Sequence, residues 1–268
     1  MLKRLFSSRV ERVIVPASLP AGQRVYAVGD IHGRRDLLDD LLTRIDGDDA
    51  ARPGAQTTLV FLGDLVDRGP TSAQVVERLL QLSGERPGTR FLLGNHEEIF
   101  LLALSGDLEA LRLFCRVGGR ETILSYGMDE ATYAALDYRE LAACLPSLVP
   151  AAHREFLEAF EDLIVLGDYA FVHAGVKPGV ALEAQRAEEL RWIREPFLSH
   201  RQPFDKFIVH GHTITEDIDD AGVRIGIDTG AYRSNRLTAL GLESDQRWVI
   251  DTISGTRPLH NSLSVRPA

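Results

Sequence analysis

TLVFLGDLVDRG, residues 58–69, and RFLLGNHEE, residues 90–98, each place a polar cluster directly after a run of apolar residues. The β-branched and aromatic residues of each run predict a buried strand, and the glycine that follows predicts its end. The polar residues after each glycine therefore lie at strand ends. Carboxylate, amide and imidazole groups delivered from neighbouring parallel strands are what a metal-dependent active site requires.

The N-terminal half repeats this arrangement of strand and helix. RVYAVGD (24–30) predicts a strand, DLLDDLLTRI (36–45) a helix, and residues 46–56 a loop. SAQVVERLLQL (72–82) and EEIFLLAL (97–104) predict two more helices after the two strands quoted above. Three strand–helix units in succession predict a largely parallel sheet covered by helices, with the functional residues at the carboxyl ends of the strands.

The C-terminal half has a different pattern. Helical periodicity dominates residues 105–165, which we interpret as a helical insertion that forms one wall of the site. YAFVHAG (169–175) predicts a strand and EAQRAEELRWI (183–193) a charged helix. KFIVHGH, VRIGIDTG, LTALGLE and RWVIDTI predict strands with no helix of any length among them, which indicates a second, more antiparallel sheet. The expected organisation is an N-terminal tail (1–22), one catalytic domain (23–257) and a C-terminal tail (258–268).

Composition limits the classes of function. The chain has 268 residues, of which 44% are hydrophobic, so a sizeable core is expected. A formal net charge of -9 argues against bulk binding of nucleic acid. The only cysteines are Cys115 and Cys144, which favours a reducing, cytoplasmic location over a disulfide framework. No apolar run has the length of a membrane span, so no stable membrane insertion is expected. The basic N-terminus, with Lys3 and Arg4, fits a solvated tail or a weakly amphipathic helix.

Ligand-type side chains recur after the predicted strands. In an extended segment Asp30 and His32 point the same way, so that both can reach one ion. Such a pair alone is also typical of a turn. The repetition favours a metal site, because the further candidates also follow predicted strands, with a glycine within two residues: Asp64, Asn95, His173 and His212.

The motifs GDIHG (29–33), GDLVDRG (63–69), GNHE (94–97), HAG (173–175) and GHT (211–213) stand in this order. As an ordered set they resemble the motifs of the calcineurin-like metallophosphoesterases and, more closely, of the PPP-type phosphoprotein phosphatases, in their bacterial and bacteriophage-lambda-like subgroup. The resemblance covers roughly residues 24–243. It implies an α/β fold, a four-layer α-β-β-α sandwich of two mixed sheets. It also implies one metal held by Asp30, His32 and Asp64, and a second held by Asp64, Asn95, His173 and His212.

The resemblance also implies roles in catalysis. His96 would be the general acid, Asp67 would orient it and keep it protonated, and Arg68 would hold phosphate oxygens. The segment Trp192–Glu195 resembles the one that delivers a second phosphate-binding arginine, which makes Arg194 the candidate and Arg191 its rival. No organic cofactor is implied. Manganese is the expected metal, with iron, zinc and nickel as alternatives.

The activity expected from this resemblance is hydrolysis of phosphoserine and phosphothreonine, and of phosphotyrosine as a further substrate, by a hydroxide that two cations share. A phosphorylated protein or peptide is then the partner. The alternative is a symmetrical dinucleoside-tetraphosphate hydrolase of the same fold. Asp67 and Glu97 favour the phosphatase, because those hydrolases carry Ala and Asp at the two positions. A catalytically silent scaffold is a third interpretation, and the complete ligand set argues against it.

Four other features have structural alternatives. Glu97 can accept a hydrogen bond from Arg68 or simply begin a helix. His210 fits a packed histidine, and Asp228 either buttresses a ligand or belongs to a turn. The histidines outside the motifs are expected at the surface: His153, His200 and His260.

Overall fold

The computed structural model describes residues 17–259, which form two β-sheets and a set of helices. The strands are β1 (Gln23–Val28), β2 (Gln56–Phe61), β3 (Arg90–Phe91), β4 (Ile164–Leu166), β5 (Tyr169–Phe171), β6 (Phe207–His210), β7 (Asp219–Asp220), β8 (Arg224–Gly226), β9 (Thr238–Glu243), β10 (Gln246–Asp251) and β11 (Gly255–Pro258). The α-helices are α1 (Arg35–Ala51), α2 (Ser72–Glu85), α3 (Asn95–Leu104), α4 (Leu108–Phe114), α5 (Arg120–Ser125), α6 (Glu130–Ala135), α7 (Tyr138–Leu148), α8 (Ala151–Glu158), α9 (Ala187–Trp192) and α10 (Ala231–Ser234).

Both sheets are mixed. The first has the order β11-β10-β9-β1-β2-β3, in which β1, β2 and β3 are parallel and β9 to β11 are antiparallel. The second has the order β4-β5-β6-β8-β7, with β5, β6 and β8 parallel and an antiparallel strand at each edge. The expectation that the C-terminal strands together form a second, more antiparallel sheet is wrong. β9 and β10 instead extend the first sheet, because β9 pairs with the free edge of β1.

The alternation of side chains along β1 explains the layers. Val25 and Ala27 face one way and pack against the second sheet, in a cluster that includes Phe171 and Val209. Tyr26 and Val28 face the other way, into a core shared with the helices. The outer face of the second sheet packs against a thinner layer of loops and short helices between Val176 and Phe204. The expected four-layer α-β-β-α arrangement is confirmed.

The helices differ in length from their sequence patterns. Residues 46–51, predicted as a loop, continue α1, where Asp48 accepts hydrogen bonds from the Tyr26 hydroxyl and the Trp248 indole. Residues 90–95 give only a two-residue strand, and α3 begins at Asn95. Five helices, α4 to α8, lie in the region predicted as a helical insertion, and a π-helical turn at Cys115–Gly119 separates α4 from α5. The predicted helix at 183–193 is reduced to a 3₁₀ turn and α9.

Residues 17–22 pack onto the sheets, although the sequence pattern assigned them to a tail. Leu19 is buried and its backbone N–H donates to the carbonyl of Ser244. The basic segment at 1–16 and the end of the chain at 260–268, which includes His260, lie outside the described residues.

Candidate metal centre and phosphate site

The site forms where strand ends of both sheets meet. Asp30 and His32 follow β1, and Asp64 follows β2, whereas Asn95 and His96 are the first two residues of α3. The second sheet contributes His173 after β5 and His212 after β6. All seven side chains are buried. The structure therefore brings together all six predicted metal ligands and the predicted acid, from positions up to 182 residues apart.

The backbone is strained at this edge. Outside glycine, a positive φ is uncommon and energetically costly. Five non-glycine residues with positive φ belong to the site: His32, Asp64, Asp67, Arg68 and His212. Such conformations persist only where the surroundings enforce them, which is typical of functional sites.

Asp64 lies at the centre of the cluster. One carboxylate oxygen is 3.4 Å from Nε2 of His173, and the other is 3.5 Å from Nε2 of His32 and 3.9 Å from Nε2 of His96. The carboxylate of Asp64 also accepts the backbone N–H of His96 at 3.1 Å. Asp64 is therefore a carboxylate that reaches both sides of the site, as a bridging ligand must.

Hydrogen bonds fix the tautomers of two histidines. Nδ1 of His173 is 2.7 Å from the carbonyl of Leu62, and Nδ1 of His32 is 2.8 Å from the carbonyl of Val66. Because a carbonyl only accepts, Nδ1 carries the proton in each ring and Nε2 presents a lone pair. Burial lowers the pKa of both histidines, which keeps them neutral.

Lone pairs converge on each side of Asp64. Nε2 of His173 is 3.0 Å from Oδ1 of Asn95, which faces it as an acceptor. Nε2 of His212 is buried without a hydrogen-bond partner in the described part of the chain. Burial lowers the pKa of His212 to about 3. Two sets of donor atoms each lie within 4.8 Å of one another, His32 with Asp64 and His96, and Asp64 with His173 and His212. Buried nitrogen and oxygen donors without protons are the chemistry that suits manganese, iron or zinc, so these residues fit a metal pair.

Asp30 does not belong to either set of donor atoms, which differs from the expected ligand pattern. Its carboxylate accepts the backbone N–H of His212, at 3.2 and 3.1 Å from the two oxygens. Burial, followed by the charge of Asp228, raises its pKa well above the usual value. Oδ2 of Asp228 is buried without a partner among the described residues. Asp30 and Asp228 are thus neighbouring carboxyl groups in a buried site. A nearby cation would stabilise the ionised form of both.

Asp67 and His96 form a buried pair. Oδ2 of Asp67 is 2.6 Å from Nδ1 of His96. Burial opposes the charged imidazolium, but Asp64 and the hydrogen bond to Asp67 together raise the pKa of His96 above its usual value. Nε2 of His96 points to the centre, where Arg68 donates to it at 2.8 Å. Arg68 also donates to Nε2 of His32 at 2.8 Å, so its guanidinium spans the mouth of the site.

Glu97 has a structural role. Its carboxylate accepts the backbone N–H groups of Asp64, Leu65, Val66 and Gly94 at 2.7 to 3.1 Å. These bonds hold the loop after β2 against the start of α3. Burial and then the charge of Asp64 raise the pKa of Glu97 to about 8. A contact with Arg68 or a position at a helix start was expected for Glu97. Neither describes its role fully, because its carboxylate binds the backbone of the loop after β2.

The two candidate phosphate arginines differ in their surroundings. Arg191 is half-buried, with Nε 2.6 Å from Asp162 and Nη1 2.7 Å from Glu98, so its donors are occupied. Arg194 is exposed and lines an open cavity of about 450 Å³. Burial is the main cause that lowers the pKa of His173 and His212, and the charge of Arg194 adds to it. The exposed Arg194 therefore stays the candidate, and its role in phosphate binding is a prediction.

The structure also shows whether His210 and His153 are buried or exposed. His210 is packed and buried, with Nε2 3.1 Å from Arg224, and burial lowers its pKa to about 4. The surface location expected for His153 is wrong: its ring is buried between Tyr126 and Glu77, at 3.0 and 2.9 Å. An isolated histidine in a helical pattern carries no signal that separates these two environments.

Three residues near the site have no motif that identifies them. Thr122 contacts Asp67, Gly118 accepts the backbone N–H of Arg68, and the ring of Tyr232 lies 5.0 Å from the Arg68 guanidinium. Thr122 and Gly118 lie in the helical region between α4 and α6, where the pattern indicates only a wall of the cleft. Their contacts depend on how that region folds back over the first sheet.

Three comparisons place this architecture among known proteins. The family model described as calcineurin-like phosphoesterase matches residues 23–236. A symmetrical bis(5'-nucleosyl)-tetraphosphatase from Janthinobacterium sp. is 37% identical over 153 residues, which is 57% of this chain and 44% of that enzyme. The chain thus matches less than half the length of this relative. The asymmetrical bis(5'-nucleosyl)-tetraphosphatase PrpE of Bacillus velezensis is 25% identical over 79% of this chain and 86% of the relative.

Among solved structures, a cold-active protein tyrosine phosphatase superposes with a TM-score of 0.60 over 93% of this chain and 82% of that one, at 20% identity, which shows the fold alone. The two curated relatives are named as bis(5'-nucleosyl)-tetraphosphatases, which corresponds to the alternative activity expected from the sequence. The phosphatase subgroup expected from Asp67 and Glu97 stays a prediction. Across residues 17–259, no helix is both long and apolar enough to cross a bilayer.

Proposed function

We propose that this chain, which belongs to the calcineurin-like phosphoesterase family, is a metal-dependent hydrolase whose substrate class is the dinucleoside polyphosphates. The observation that carries the chemistry is the convergence of neutral imidazoles on the ionised Asp64, with Arg68 beside them. Such a site binds cations and phosphate oxygens at adjacent positions.

The ligands would be Asp30, His32 and Asp64 for one ion, and Asp64, Asn95, His173 and His212 for the other. When bound, a pair of divalent ions supplies Lewis-acid activation of water and of the phosphoryl group. Asp30 lies outside the two compact sets of donor atoms, and its carboxylate accepts the backbone N–H of His212.

The protein's own groups position the substrate and move a proton. Arg68 and Arg194 hold nonbridging phosphate oxygens through their planar forks. Water adds to phosphorus and releases a proton to solvent, the bond to the leaving oxygen breaks, and Nε2 of His96 gives its proton to that oxygen. In this structure Arg68 donates to Nε2 of His96, so that atom is an acceptor. Arg68 must therefore turn to the phosphate before Nε2 can carry the proton.

The substrate class rests on two supports. The curated relatives named above are dinucleoside tetraphosphatases. The cavity beside Arg194 has a volume of about 450 Å³ and includes Trp192, Lys177 and Arg186 in its lining. That volume lies in the range of small-molecule sites, and we propose that the nucleoside of the substrate binds there. Two acidic residues of the lining are paired with cations of the same lining, Glu189 with Lys177 and Glu188 with Arg186.

A phosphorylated protein is the second candidate substrate, and the buried Asp67–His96 pair favours it. The alkoxide of phosphoserine is a poor leaving group and requires a proton, whereas a nucleotide phosphate leaves more easily. A held general acid therefore has more effect in a protein phosphatase.

The full chain loaded with manganese should be assayed on diadenosine tetraphosphate and on a phosphoserine peptide, with Asp64→Asn as the background control. We expect higher kcat/KM on the nucleotide. Product analysis then distinguishes symmetrical cleavage, which yields ADP alone, from asymmetrical cleavage, which yields ATP and AMP. Turnover of the peptide alone would overturn the nucleotide proposal in favour of the second candidate. No turnover of either substrate, at manganese loading equal to two ions, would reject both.

A further inference from the structure

Thr122 contacts the acid pair from the far side of the cleft. It lies in α5, in the helical region between the two halves of the domain, and it is fully buried. Its Oγ1 is 2.7 Å from Oδ1 of Asp67 and 2.8 Å from the backbone nitrogen of Asp67. Both contacts join residues 55 apart in sequence.

The proton count determines the direction of these bonds. The backbone N–H of Asp67 donates, so Thr122 accepts from it, and the single hydroxyl proton is left for one acceptor. The possible acceptors are Oδ1 of Asp67 at 2.7 Å and Oγ of Ser72 at 3.1 Å. The carboxylate is closer and charged, and charge-assisted bonds are the stronger ones. Thr122 therefore donates to Oδ1, while Oδ2 of the same carboxylate faces His96.

The carboxylate of Asp67 is thus held at both oxygens. With Oδ1 fixed by Thr122, rotation of the carboxylate away from the imidazole is restricted. Asp67 also has a φ of 72°, a conformation that needs support from its surroundings. Thr122 supplies that support through its contact with the backbone nitrogen.

We propose that Thr122 is a positioning residue that acts through Asp67 to aim Nε2 of His96 at the leaving oxygen. This inference rests on the proposed function, because it needs His96 to act as the acid. The helical region would then contribute to catalysis, in addition to forming one wall of the cleft.

The same region also fixes the neighbouring Arg68. The carbonyl of Gly118 accepts the backbone N–H of Arg68 at 3.0 Å. A segment from Gly118 to Thr122 therefore contacts the acid's partner and the phosphate-binding arginine at once. A displacement of this segment would misalign both groups.

Thr122→Val tests the proposal, because it removes the hydroxyl and keeps the branched shape. The backbone N–H of Asp67 retains Ser72 Oγ at 3.0 Å, so the variant leaves no orphaned donor there. The substrates are phenyl phosphate, whose leaving group needs a proton, and p-nitrophenyl phosphate, whose leaving group does not. We expect kcat on phenyl phosphate to fall about tenfold further than kcat on p-nitrophenyl phosphate.

Two matched variants complete the test. Thr122→Ser keeps the hydroxyl and should restore the ratio of the two substrates to within about twofold of wild type. Thr132→Val makes the same substitution in α6, at a hydroxyl that contacts Asp129 and not Asp67, and it should leave the ratio unchanged. Thermal unfolding and manganese content are measured for every variant.

In Thr122→Val with normal manganese content, equal losses on both substrates would leave the ratio unchanged and would overturn the positioning role. Should Thr122→Val fail to fold, the ratio in Thr122→Ser decides, since a ratio far from wild type despite the retained hydroxyl would contradict the proposal. Failure of the proposed function is separable, because the wild-type protein would then leave diadenosine tetraphosphate intact, whereas the positioning role is measured by the ratio of the two aryl phosphates.

Discussion

Nδ1 of His96 lies 2.6 Å from Oδ2 of Asp67, and the exposed surface of both side chains is close to zero. This contact orients the imidazole so that Nε2 faces the metal centre. His96→Asn should therefore retain manganese but lose about 100-fold in kcat on alkyl and phenyl phosphates, with a smaller loss on p-nitrophenyl phosphate. Steady-state kinetics and metal analysis measure both effects. Equal losses on all substrates would remove His96 from the role of acid.

Because Asp64 lies at the centre of the site, we expect its replacement to lower the metal content, unlike replacement of His96. Its two oxygens face opposite sets of donors, so Asp64→Asn weakens both ion sites together. After dialysis in manganese, elemental analysis should find less than about half of the wild-type metal per chain, and activity should fall with it. Asp46→Asn serves as a control, since its exposed carboxylate pairs with Arg86 and lies outside both donor sets. Retention of one full ion by Asp64→Asn would contradict the bridging assignment.

Replacement of Arg194 should affect activity, whereas replacement of the nearby Arg191 should affect stability. Arg194→Ala is expected to lower kcat/KM about 100-fold through a higher KM, with an unchanged melting temperature, because its side chain is exposed. Arg191→Ala should instead lower the free energy of unfolding by roughly 1–3 kcal/mol, since it leaves Glu98 and Asp162 without their partner. Kinetics and denaturant unfolding of both variants provide the measurement. The reverse pattern would make Arg191 the phosphate-binding residue.

Gly118 has a φ of 121°, and a Cβ atom there would lie 2.7 Å from the backbone nitrogen and from Cγ of Arg68. Gly118→Ala should therefore cost roughly 1–3 kcal/mol of stability and displace Arg68. We expect a higher KM for every phosphate substrate, alkyl and aryl alike. Gly127→Ala is a matched control, because it has a φ of 98° but no atom within 4 Å of an added Cβ. Similar kinetics for the two variants would show that strain alone, and not contact with Arg68, is responsible.

His210 makes stability depend on pH. Burial lowers its pKa to about 4 in the folded state, compared with about 6.5 in an unfolded chain. Above pH 6.5 both states are neutral at this residue and its contribution is constant. As pH falls from about 6.5 to 4, only the unfolded state gains the proton, so stability falls, by up to roughly 3 kcal/mol.

His210→Gln isolates this contribution, because glutamine does not titrate. Urea unfolding of wild type and variant in EDTA, from pH 7.5 to pH 5, should show the stability difference between them shrinking as the pH is lowered. A difference independent of pH would mean that His210 titrates normally.

Much of the fold and of the site could be predicted from local patterns. Strands that end in glycine and a polar residue gave Asp64, Asn95, His173 and His212 the positions that the structure brings together. The reason is geometric: parallel strands end at one edge, so residues that follow them in sequence meet in space. The pairing of β9 with β1 was not predictable in this way, since alternating strands carry no label for their neighbour.

The sequence by itself determined the order of the strands along the chain, the residue types at their ends and the chemistry that those types allow. Only the tertiary structure decided that Arg191 is held by two carboxylates while Arg194 faces the cavity, that Glu97 binds the backbone around Asp64, and that Thr122 supports Asp67. The hydrogen bonds that hold Arg191, that join Glu97 to Asp64 and that join Thr122 to Asp67 connect residues 29 to 93 positions apart in sequence. Local propensity acts over a few residues, whereas such contacts form only when packing of the whole core brings distant segments together.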